Sequence, residues 1–189
     1  MNFEESLGLV RRFIDLKTSR DDAINNPLIP TEFRARILEQ LEKENIIGTV
    51  STDPMNHQIM TDLRAKKVEK VADFIPDQEI DGPEEGDLLV VSWGGTYGAV
   101  HSAVSQMQKE GKNISHAHFH YIMPLPKNTG AVLKGFKKIV VCELNSGQFV
   151  NYLRMKFPMP NISQFNKVQG LPFMINELTD KFNQLLEEK

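Results

Sequence analysis

Apolar positions along this chain follow two rhythms, a recurrence every three to four residues and then short unbroken apolar runs, with the change near residue 87. In the first part Leu7, Val10, Phe13, Ile14 and Leu16 recur at helical spacing. After Asn25-Asn26-Pro27, a second helix is predicted, opened by Pro30 and Thr31 and carrying Phe33, Ile37, Leu38 and Leu41 as its apolar stripe. Residues 1-47 therefore read as a helical hairpin, closed by Gly48. Ser51-Thr52-Asp53-Pro54 then introduces a helix over roughly 55 to 74, on which Met60, Leu63, Ala65, Val68 and Val71 can share a face. Its interleaved Arg64, Lys66, Lys67 and Lys70 read as a solvated face. Pro76 to Gly86 is acidic and punctuated by Pro and Gly, which makes 48-86 a helix plus linker and places a domain boundary there.

From Asp87 onward strand and helix patterns alternate. The run 87-93 is apolar and β-branched, as in a strand buried on both faces of a parallel sheet, and it breaks into Gly94-Gly95-Thr96-Tyr97-Gly98. Those glycines allow a sharp turn and close packing of the next helix, and the Thr96 hydroxyl can cap it. A helix is predicted at 97-110, a strand at 113-121, a rigid connection at Met123-Pro124-Leu125-Pro126 and a short helix at 128-135. A strand at 138-143, a helix at 147-156, a short strand at 161-166 and a last helix at 173-187 complete the pattern. The alternation predicts a three-layer α/β domain over 87-189 with a mostly parallel sheet. In such sheets ligands or partner subunits are met at the carboxyl ends of the strands.

Composition narrows the function without naming it. The 189 residues carry a net charge of -3, which leaves no global basic field for nucleic acid or an anionic membrane. No apolar stretch approaches the roughly 20 residues that cross a bilayer, and Glu4 and Glu5 stand where a signal peptide would be basic, so a cytoplasmic chain is expected. Cys142 is the one cysteine; it forms no internal disulfide, and within Ile139-Val140-Val141-Cys142 it reads as a buried thiol rather than a nucleophile. No serine elbow or Ser/His/Asp order supports hydrolase chemistry.

Three constellations remain. The turn 94-98 either cradles a phosphate with backbone N-H groups or is simply a tight strand-to-helix turn, with Tyr97 suited to a partner contact. His116, His118 and His120 alternate, so a strand puts them on one face; they either present imidazoles to a metal, with Glu143 as a neighbouring carboxylate, or line a subunit interface. Glu143, Asn145, Ser146, Gly147 and Gln148 follow the next strand; Asn145 or Ser146 can cap a helix, and Gln148 either joins the cap or reaches the 94-98 turn.

Trp93-Gly94-Gly95-Thr96-Tyr97-Gly98, His118-Phe119-His120-Tyr121-Ile122-Met123-Pro124-Leu125-Pro126 and Cys142-Glu143-Leu144-Asn145-Ser146-Gly147-Gln148, in that order, resemble the C-terminal domain of the alpha subunit of 2-oxoacid:ferredoxin oxidoreductases, the 2-oxoglutarate branch above all. The flanking Gly48-Thr49-Val50-Ser51-Thr52-Asp53-Pro54-Met55-Asn56-His57 and Phe165-Asn166-Lys167-Val168-Gln169-Gly170-Leu171-Pro172-Phe173 resemble it too, so that the likeness covers about 48 to 189. It implies a fold like the C-terminal domain of transketolases. It further implies a place in an enzyme that uses thiamine diphosphate, magnesium and iron-sulfur clusters to make acyl-CoA and carbon dioxide from a 2-oxoacid and coenzyme A, passing electrons to ferredoxin. The chain lacks the Tyr-Pro-Ile-Thr-Pro, Gly-Asp-Gly and Cys-x-x-Cys segments of the cofactor-binding parts, and its Glu143-to-Gln148 turn is one residue shorter than the family's. The resemblance thus implies a non-catalytic assembly domain that binds no cofactor alone and packs against a thiamine-diphosphate-binding beta subunit, through Gly94, Gly95, Thr96, Tyr97, His118, His120, Glu143, Asn145, Ser146, Gly147 and Gln148. The alternative is an independent small-molecule or metal-binding protein, or a homodimer made through the N-terminal helices. An exposed apolar carboxyl edge points to a partner, and a closed polar pocket to a ligand.

Overall fold

The computed structural model describes residues 42–188, and the helical hairpin expected over 1-47 lies almost wholly outside them. The described residues divide into two compact units between Lys66 and Lys67. In the first unit an isolated antiparallel bridge joins Lys43 to Val50 across a tight loop in which Gly48 takes φ +75°, a left-handed conformation that favours glycine. Helix α1, Pro54–Glu69, starts as its sequence dictates: proline stands first, and Asp53 Oδ1 accepts the Met55 N-H at 3.0 Å. Asn56 is its one buried residue, held by Asn45 N-H and Lys43 C=O, whereas Leu63, Val68 and the following Val71 are 40–47% exposed. The expected apolar face is therefore not a buried one; Arg64, Lys66, Lys67 and Lys70 are exposed as expected, Arg64 pairing both nitrogens with Glu42 at 2.8 Å.

The second unit is a four-stranded, wholly parallel sheet. Strands β1 (Gly86–Trp93), β2 (Ile114–Phe119), β3 (Phe136–Glu143) and β4 (Ile162–Asn166) lie in the order β2-β1-β3-β4. Helix α2 (Tyr97–Lys109) connects β1 to β2, α3 (Thr129–Lys134) precedes β3, α4 (Gln148–Lys156) links β3 to β4, and α5 (Ile175–Glu187) ends the unit. Because strand side chains alternate, Leu88, Val90 and Cys142 face α2 and α5, while Leu89, Val91 and Val141 face α3 and α4. Helices on both faces make the three layers, and every core position of β1 is fully buried. The segment before β1 is tied to this unit rather than hanging free: Gln78 and Asn128 exchange hydrogen bonds of 2.7 and 2.9 Å, Gln78 Nε2 donates to His118 C=O, and Asp81 pairs with His116 as an antiparallel bridge.

Candidate functional site

Strand order reverses between β1 and β3, and the residues leaving these two strands meet at the carboxyl edge. The β3 side of that crevice is closed by its own side chains. Glu143 is fully buried and its carboxylate accepts the Phe149 and Val150 N-H groups at 2.9 and 2.8 Å, together with the Trp93 indole N-H at 3.3 Å. Phe149 and Val150 lie in the first turn of α4, whose N-H groups have no intrahelical partner, so Glu143 serves as that helix's internal anion. Asn145 Oδ1 accepts from Gly147 N-H at 2.7 Å and Gln148 N-H at 3.2 Å. Gly147 takes φ +95°, and a Cβ there would lie 3.0 Å from Asn166 Nδ2, so the turn closes on a position where any side chain is strained. The capping reading of Asn145 holds; Ser146 and Gln148 are exposed.

The β1 side is built differently. Gly94 takes φ +57°, a left-handed conformation that favours glycine, while a Cβ at Gly94, Gly95 or Gly98 would meet nothing within 4 Å. The expectation that these glycines pack a helix closely is thus corrected: Gly95 and Gly98 answer neither a backbone nor a packing demand of the folded chain. Thr96 does not cap α2 either, because its buried hydroxyl turns back to donate to Trp93 C=O at 2.8 Å and to accept Trp93 N-H at 3.3 Å. Both bonds of that hydroxyl stay within the turn, and none goes to an α2 N-H.

Beside this turn, on the α2 face of the sheet, lies a cavity of about 1000 Å³ lined by Tyr97, His101, His116, His118, His120 and the 76–81 segment. Ser92 Oγ, fully buried, stands 2.7 Å from both His116 Nε2 and His118 Nδ1 and links the two rings. Tyr97 stacks on His101 with ring centroids 5.2 Å apart and on His116 at 5.9 Å, and meets the edge of His118 at 4.9 Å. His120 falls just past the end of β2, yet its ring still lies 4.9 Å from that of His118. Burial, reinforced by His118 and His101, pushes the His116 pKa down to about 3; burial and then His120 lower that of His118. Both rings are therefore neutral at physiological pH.

The sequence reading found this histidine row but assigned it the wrong carboxylate. Glu143 points to the opposite face, since it shares the alternation of Val141, and the acid beside the row is Asp81. His101, also unforeseen, reaches the cluster from α2 one helical turn beyond Tyr97. The i, i+4 spacing of Tyr97 and His101 was the available signal, whereas nothing local marks Asp81. Cys142 is fully buried, and burial with the Glu143 charge raises its pKa, so it offers no thiolate to a cluster or a substrate. An iron-sulfur cluster, which takes about four thiolates, does not fit the residues of this chain.

The carboxyl edge carries a second feature. Each of the four strands is followed by an exposed large apolar side chain: Tyr97 after β1, Tyr121 and Met123 after β2, Leu144 after β3, Val168 and Leu171 after β4. The turns entering β2, β3 and β4 hold none.

No family model matches the chain. It is 36% identical over 139 residues, 73% of its length, to the 2-oxoglutarate oxidoreductase subunit KorA of Mycobacterium tuberculosis, and 27% identical over 145 residues to the 2-oxoacid:ferredoxin oxidoreductase 2 subunit alpha of Aeropyrum pernix. A solved 2-oxoglutarate:ferredoxin oxidoreductase from Magnetococcus marinus, with 2-oxoglutarate, coenzyme A and succinyl-CoA bound, superposes with a TM-score of 0.71 at 27% identity, over 78% of this chain and 26% of that one. The chain spans about a fifth of the length of the curated relatives it matches.

Proposed function

We propose that this chain, a member of the 2-oxoacid:ferredoxin oxidoreductase alpha-subunit family, serves as the non-catalytic C-terminal assembly domain of a 2-oxoglutarate:ferredoxin oxidoreductase. The likeness to a 2-oxoglutarate oxidoreductase subunit at 36% identity supports the family and the branch. The observation that carries the assembly role is the carboxyl edge itself, where exposed apolar side chains follow all four strands and two exposed glycines have no use within the fold. Apolar surface gathered at one edge costs solubility unless something covers it, and a glycine with no internal demand lets a partner's backbone or side chains approach closely.

In this reading the edge docks on the subunit that binds thiamine diphosphate and magnesium, and the whole complex turns the 2-oxoacid and coenzyme A into acyl-CoA and carbon dioxide with ferredoxin as electron acceptor. The chain itself supplies shape and contact, and the cofactors belong to its partners. The surroundings of Glu143 support that division, since a carboxylate committed to two N-H groups and an indole is no acid or base for a substrate. A tagged chain recovered from its native extract tests the proposal. Co-elution of thiamine-diphosphate and iron-sulfur subunits, with 2-oxoglutarate- and coenzyme-A-dependent reduction of a viologen dye, is the expected result; a chain that elutes alone and inert overturns it.

A further inference from the structure

Asp81, His101 and His116 each present one donor atom, and the three atoms lie within 4.8 Å of one another. They come from three elements: the segment ahead of β1, helix α2 and strand β2. Their backbones are held independently of any ligand. Asp81 and His116 exchange N-H···O=C bonds of 2.8 and 3.0 Å, Gln108 Nε2 donates to Asp81 C=O at 3.1 Å, and His116 is anchored through Nε2 to the buried Ser92 hydroxyl. His101 and Asp81 side chains are 42% and 49% exposed and keep the freedom to rotate.

The contact between those two is incomplete as it stands. His101 Nδ1 is shielded from solvent and lies 2.9 Å from Asp81 Oδ2, yet the alignment is not that of a hydrogen bond. Where that nitrogen carries no proton, its lone pair faces those of the carboxylate oxygen, an arrangement that a shared cation relieves.

We propose that Asp81, His101 and His116 form a divalent transition-metal site of the zinc type, with its fourth position open to the cavity lined by Tyr97, His118 and His120. Two imidazoles and a carboxylate are a donor set that zinc takes in its three-ligand, open-position sites, and tetrahedral ligands at about 2.0–2.1 Å stand about 3.3 Å apart. Rotation of the half-exposed Asp81 and His101 side chains would adjust the present donor spacing, 2.9 Å between those two and at most 4.8 Å overall, to that value, while His116 stays where Ser92 holds it. A hydroxyl that fixes a ligating ring is the outer-shell support such sites use. This site is independent of the assembly role, because it belongs to the inner wall of the cavity and not to the exposed apolar rim.

The test is equilibrium dialysis of the full, chelator-treated chain against Zn²⁺, read by elemental analysis, with Co²⁺ substitution read by its visible absorption. One equivalent of metal with the absorption of a tetrahedral Co²⁺ centre is expected. Asp81→Asn and His101→Ala, at half-exposed positions that leave the core intact, should each weaken binding more than tenfold, the lower end of what loss of a supporting group alone brings. His57→Ala, on the first unit, should change nothing, and circular dichroism confirms that the variants fold. Absence of stoichiometric binding, or binding that survives both substitutions, overturns the proposal.

Discussion

At the scale of single residues, two buried groups dominate the behaviour of the carboxyl edge. His116 is neutral in the folded chain because burial holds its pKa down to about 3, against 6.5 for a free imidazole. Between those values the unfolded chain binds a proton that the folded chain refuses, so stability is whole above about pH 6.5 and falls as pH drops toward 3, by on the order of a few kcal/mol. Urea unfolding at a series of pH values, with chelator present, should show this slope, and His116→Gln should flatten it. Glu143 acts through charge on a helix terminus. Glu143→Gln keeps the shape but loses the anion and turns one acceptor into a donor facing N-H groups, at an expected cost of about 1–3 kcal/mol in the urea midpoint. His116 announced itself by alternation with its neighbours. The task of Glu143 was hidden, because the N-H groups it serves become orphans only when α4 forms beside it.

Among the elements, the contrast between glycines separates positions where the fold needs glycine from positions where it does not. A Cβ at Gly135 would lie 2.6 Å from the Glu84 carbonyl, where backbone cannot give way, so Gly135→Ala should lower stability by about 1–3 kcal/mol. Gly98 sits in the first turn of α2 with open space around it and an ordinary helical φ, so Gly98→Ala should leave thermal unfolding unchanged or stabilise by up to about 1 kcal/mol. The loop from β4 to α5 has its own clasp: the largely buried Lys167 side chain donates to Pro172 C=O and both Glu177 oxygens, and Glu177 also accepts Met174 N-H at 2.9 Å. The Lys167 ammonium holds the Glu177 carboxyl below its usual range. Glu177→Gln should therefore speed amide exchange at Met174 while leaving β4 protected. The strands and helices from β1 onward were legible, each within about two residues, because unbroken β-branched runs and 3.6-residue stripes are local signals, whereas α1 ends at Glu69, short of the expected 74. The face of α1 was not, since periodicity shows that a face is apolar and not whether anything covers it.

For the molecule as a whole, the carboxyl edge divides into an apolar rim and a histidine-lined cavity, and the two are separable by substitution. Leu144→Glu combined with Val168→Glu alters exposed rim positions, so stability should stay within about 0.5 kcal/mol while co-elution with partner subunits drops. A pair of substitutions that leaves co-elution intact would move the docking face elsewhere. No helix among the described residues is long and apolar enough to cross a membrane. The sequence alone determined the parallel α/β architecture and the family, because strand burial, glycine turns and motif order are all written in neighbouring residues. Tertiary structure alone decided which groups share a site. It placed Glu143 on the α4 face and Asp81 beside His116, across 35 residues of chain, because alternation along a strand settles the side a residue faces only after the sheet and its flanking segment have been assembled.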